Sequence, residues 1–129
     1  MVAYTPGMPL TLDPEDQPSA EQLIKKSRFV ARLRQVTDEQ GAADLIAEAR
    51  VCVVQAEIPP ATVAHVARVA AAGGTRLLLN VAPAAELPPE TVRAADPLVV
   101  NEHEAAILLG HRGRQPEDAA RDLAALGVR

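Results

Sequence analysis

From residue 51 onward the chain alternates between short apolar runs and segments of helical period, and this alternation leaves few architectures open. Val51–Ala56 is an apolar run of strand length. Pro59 or Pro60 opens a helix from about Ala61 to Ala72, with Val63, Val66, Val69 and Ala70 facing inward, and Gly73-Gly74 ends it. The Leu-rich run Arg76–Asn80 reads as the next strand, buried on both faces. Pro88 or Pro89 opens a short helix to Ala95, and Pro97–Val100 is a third strand. Glu102–Leu109 is a helix stopped by Gly110, Gly113 makes a turn, and Pro116–Leu126 is a last helix with Ala119, Ala120, Leu123 and Leu126 inward. Strands and helices in this order predict an α/β fold: a three-layer, Rossmann-like parallel sheet with helices on both faces.

The first 50 residues read differently. Pro6, Pro9, Pro14 and Pro18, mixed with Asp13, Glu15 and Asp16, make residues 1–20 a mobile lead. Within 23–36, Phe29, Ala31 and Leu33 alternate with Arg28, Arg32 and Arg34, which predicts a half-buried strand with one basic face. Thr37 or Asp38 then caps a helix whose apolar positions are Ala42, Leu45, Ile46 and Ala49. Residues 21–50 thus form a β-α segment ahead of the α/β unit at 51–129.

Composition sets limits on partners. The chain is 48% hydrophobic, but much of this is Ala and Val, and Tyr4 and Phe29 are the only aromatics. Small side chains bury little apolar area each, so a modest stability is expected. A net charge of −4 without a basic block argues against nucleic acid as the main partner. The basic residues Lys25, Lys26, Arg28, Arg32 and Arg34 lack interleaved aromatics beyond Phe29, so they read as a solvated strand face. The single cysteine, Cys52, fits a reducing cytoplasm and a small buried hydrophobe in a strand. No apolar run approaches the ~20 residues of a membrane helix, and the N-terminus lacks a signal-peptide pattern.

The chemistry-bearing residues cluster after the last two strands. Pro97–Val100 runs directly into Asn101-Glu102-His103-Glu104. Open α/β sheets bind ligands at the carboxyl ends of their strands. Asn101 and Glu104, three apart, share a helix face, where an amide and a carboxylate suit a phosphate with its magnesium. From the residues alone, an N-cap and a first-turn acid are the simpler reading of the same pair. Glu102 reads as a solvated first-turn acid and His103 as a surface residue. Glu57 follows a strand and could cap the next helix, Gln55 could bond a neighbouring strand end, and Asn80 could hold the loop at 81–85. His65, His103 and His111 have no metal-ligand spacing with one another or with Cys52, and no Walker-type Gly-Lys-Ser/Thr occurs.

Residues 80–110, NVAPAAELPPETVRAADPLVVNEHEAAILLG, closely resemble the ribokinase branch of the PfkB carbohydrate kinases, with their Asn-Pro-Ala-Pro-Ala-like loop and Asn-x-x-Glu motif. Val51–Pro59 resembles that family's strand ending in Gln-x-Glu. The resemblance runs over 51–129. It implies a ribokinase-like fold and ATP-dependent phosphorylation of a sugar hydroxyl. It also implies Asn101 near phosphate, Glu104 near Mg2+ through water, and Glu57 on a sugar hydroxyl. The family's Gly-Ala-x-Gly-Asp-like turn, which supplies the anion hole and catalytic aspartate, has no counterpart in the sequence, and most of the sugar pocket is missing. No catalytic residue is therefore assigned, and weak or absent binding of ATP and Mg2+ is expected. Ile24–Ala31 with the acidic helix after it separately resembles the opening of the YigZ/IMPACT family, small α/β domains linked to RNA and the ribosome. That likeness covers about 20–50 and would make the chain a fusion, a rearranged gene product or a misassembled reading frame; the alternative is that Ala43–Arg50 already belongs to the kinase-like part. The alternatives to a partial sugar kinase are a non-catalytic module that self-associates through uncovered sheet edges, and an RNA- or ribosome-associated protein.

Overall fold

The computed structural model describes residues 18–110 and 115–128. The lead expected at 1–20 lies outside the described residues up to 17, as does the turn expected at Gly113. Two compact units divide the chain, one ending at Gly41 and the other beginning at Ala42.

In the first unit, β1 (Ser19–Ile24) and β2 (Ser27–Arg32) pair antiparallel, with Ser19 opposite Arg32 and Ile24 opposite Ser27. This corrects the single half-buried strand expected across 23–36. The chain reverses at Lys25-Lys26, and Lys25 takes φ 56 although it is not a glycine. Neither strand is buried on either face: Leu23, Phe29 and Leu33 are 71%, 55% and 59% exposed. On the basic side Arg28 donates to both carboxylate oxygens of Glu21, at 2.7 and 2.8 Å. Asp38 caps the next turn, its Oδ1 accepting the Gly41 N–H at 2.7 Å.

The second unit follows the expected alternation. After α1 (Glu39–Glu48), which begins just before the boundary, come β3 (Val51–Gln55), α2 (Pro60–Gly73), β4 (Arg76–Asn80), α3 (Pro89–Arg93), β5 (Ala95–Val99), α4 (Glu102–Leu109) and α5 (Pro116–Ala125). β3, β4 and β5 form a parallel sheet in that order, flanked by helices, with β4 central. The fold is the mixed α/β architecture expected. Its core gathers Val54, Val63, Ala67, Ala70, Leu77, Leu79, Val81 and Ala95, all nearly inaccessible. On α2 the small residues Ala64, Ala67 and Ala70 are buried with Val63, while Val66 and Val69 are only half-buried. Short side chains let the helix approach the sheet closely, so the inward stripe runs through alanines.

Thr75 fastens α1 to this sheet. Its buried hydroxyl lies 2.7 Å from the Ile46 carbonyl and 3.1 Å from that of Ala49. These are carbonyls of the last turn of α1 and just beyond, where a helix leaves acceptors short of partners, although Ile46 O also accepts the Ala49 N–H at 3.1 Å. Both α2 and α4 end in left-handed glycines, Gly74 and Gly110, each with φ 71.

β5 begins two residues before the expected Pro97. Ala95 pairs with Leu77 and Leu98 with Leu79, so β5 spends one residue more than β4 over this stretch. A proline has no N–H for the ladder, and the extra residue takes up the irregularity as a bulge. Arg76 spans it, its Nε donating to the Asp96 carbonyl at 2.9 Å and its Nη2 meeting Asp96 Oδ1 at 3.2 Å. α3 correspondingly stops at Arg93. On α5, Ala119 and Leu123 are buried, but Ala120 and Leu126, expected inward, are exposed.

Candidate functional site

Parallel pairing brings the three strand ends level. Gln55 is in register with Asn80, and Asn80 with Val99. The backbone continues the ladder one step: Ala56 N–H donates to Asn80 O at 3.0 Å, and Val81 N–H to Val99 O at 3.1 Å. The loop after β4 is thus anchored at its start through the Val81 backbone N–H. Glu57, Val81 and Asn101 all leave the sheet at its carboxyl end, where α/β sheets take ligands.

Asn101 is the N-cap of α4, with φ −89 and ψ 177. Its Oδ1 accepts the Glu104 N–H at 2.9 Å. Glu104 reaches back: Oε2 accepts the Asn101 N–H at 2.7 Å, and Oε1 accepts from Asn101 Nδ2 at 3.0 Å. This is a complete capping box, with a third bond added by the amide. Asn101 is exposed and Glu104 is only 7% exposed, so the pair joins a solvent-facing amide to a buried carboxylate. Each carboxylate oxygen accepts one bond here and retains a lone pair. The Glu102 and His103 N–H groups, in the first turn, have no carbonyl of their own helix within reach. They are the positive end of the α4 dipole, and the Glu102 and Glu104 carboxylates of the first turn set negative charge against it.

Asn101, Glu102 and His103 form the rim of an open cleft of about 640 Å³ between α4 and α5, whose apolar wall comprises Val100, Ala105, Pro116, Ala119 and Ala120. That volume is in the range of small-molecule sites. The structure therefore brings Asn101 and Glu104 into direct contact and sets Asn101 on the cleft. Glu57 is exposed two residues past the end of β3 and does not line it. The N-cap of α2 is Pro59, whose side chain makes no capping hydrogen bond, so Glu57 is not the N-cap residue. His103, read from sequence as a plain surface residue, stands on the rim. No sequence signal marks it, because the cleft arises from the packing of α4 on α5. Among the described residues no group of three or more His, Cys, Asp or Glu could enclose a metal ion, and no helix is long and apolar enough to cross a membrane.

Comparison with known proteins gives the family. The family model for pfkB family carbohydrate kinases matches residues 19–128, and the chain belongs to that family. The matched span takes in the β-α segment at 21–50 as well. Mouse ribokinase is 36% identical over 85 residues, which are 65% of this chain and 26% of that protein. A bifunctional ribokinase/ribose-5-phosphate isomerase A from Fructilactobacillus sanfranciscensis is 38% identical over 74 residues, 57% of this chain and 14% of that one. The chain thus spans about a quarter or less of the length of these relatives. Among solved structures, Arabidopsis thaliana ribokinase complexed with ribose and ATP superposes with a TM-score of 0.61 at 20% identity, over 88% of this chain and 41% of that one. The crystal structure of Sa239 gives 0.59 at 24%, over 86% and 40%. At those identities the structural likeness speaks for the fold. The chain is a ribokinase-like fragment of a sugar kinase family.

Proposed function

We propose that this chain carries part of the nucleotide site of an ATP-dependent sugar kinase, centred on the start of α4. Asn101 and the Glu102 and His103 N–H groups would receive phosphate oxygens, and Glu104 would hold magnesium through water. The donor set fits these groups. A helix N-terminus with free N–H groups suits an anion. A lone carboxylate with spare lone pairs suits magnesium, which keeps most of its waters and seldom takes an all-protein cage. Bound ATP supplies the phosphoryl group and magnesium offsets its charge; the protein's part in such transfer is positioning and charge stabilisation. Glu57, at the same end of the sheet, would meet a sugar hydroxyl. A cytoplasmic location fits the single, half-buried Cys52.

The observation that carries this reading is the position of Asn101: at the carboxyl end of β5, on the rim of a cleft large enough for a nucleotide moiety, with the buried Glu104 carboxylate bonded directly behind it. The sequence holds no Gly-x-Gly-Asp, so the 129-residue chain alone is expected to release no ADP when given ribose and ATP. Binding should be weak, on the order of millimolar, or about 4 kcal/mol. The test is ³¹P NMR of ATP with magnesium. The resonances should broaden with the chain and much less with an Asn101→Ala, Glu104→Ala double variant. Equal broadening by both proteins would remove the proposal.

A further inference from the structure

No further inference is drawn: the strongest candidate, the exposed apolar face of edge strand β3 at Val51 and Val53, carries nothing because nothing in the structure shows what covers it.

Discussion

Replacing Asn101 by alanine or by serine separates the two jobs its side chain does. Alanine removes the oxygen that accepts the Glu104 N–H and the amide that donates to Glu104 Oε1. Loss of an N-cap costs about 1 kcal/mol. Loss of a donor to a carboxylate that is 7% exposed adds roughly 0.5–1 kcal/mol, toward the low end because Asn101 itself is exposed and water can replace part of the bond. Asn101→Ala should therefore cost about 1.5–2 kcal/mol. Serine is as good an N-cap as asparagine and keeps an acceptor for Glu104 N–H, so Asn101→Ser should lose only about 0.5–1 kcal/mol. Urea unfolding followed by circular dichroism reads both numbers, and unchanged m-values would show that the folded and unfolded states are comparable. The reasoning fails if Asn101→Ala lies within about 0.3 kcal/mol of the parent, or if serine is as costly as alanine.

Other outcomes follow from other parts of the second unit. Thr75→Val keeps the shape but removes the hydroxyl whose one proton is shared between Ile46 O and Ala49 O, and should cost about 1–2 kcal/mol by urea unfolding; a neutral result would mean that water or the Ala49 N–H already serves those carbonyls. Gly110→Ala meets no atom within 4 Å, so its cost should be purely conformational, about 1 kcal/mol for a side chain at φ 71. A loss well beyond that in thermal unfolding would point to a steric clash the structure lacks. Burial pushes the Cys52 thiol above its ordinary value, so the unfolded chain ionises first as pH rises. Stability should hold below the unfolded thiol's range and decline through alkaline pH up to the folded value. A Cys52→Ala variant should lack that component of the decline, and identical alkaline profiles for both proteins would count against a buried thiol.

The second unit was legible in sequence because its signals are local and agree with one another. Proline at the start and glycine at the end bracket α2, and Asn101 with Glu104 three residues on marks the start of α4. The errors lie where local chemistry misleads. Lys25-Lys26 carries no turn signal of the Asn-Gly kind, so the reversal that makes the hairpin was invisible and an alternating pattern passed for one strand. Pro97 reads as a strand opener, yet Ala95 already pairs with Leu77, because a bulge absorbs the missing N–H. Val63 and Ala70 on α2 are buried as expected, but the close approach to the sheet takes Ala64 and Ala67 inward in place of Val66 and Val69, which outrank them in any hydrophobicity count. The capping pair was readable at spacing three. The cleft beside it depends on where α5 packs, which no spacing encodes.

The central claim is that the start of α4 is an anion and magnesium locus as well as a helix cap. Backbone amide NMR during titration with phosphate and magnesium tests it most directly, using the parent chain, Asn101→Ser, and the Asn101→Ala, Glu104→Ala double variant. The account predicts weak, saturable shifts centred on residues 100–105 in the parent and their disappearance in the double variant. Asn101→Ser should remain folded with reduced shifts, which separates loss of the ligand from loss of the helix. Shifts that are absent from 100–105 in the parent, or that persist unchanged in the folded double variant, would contradict the account and leave Asn101 and Glu104 as a capping box alone.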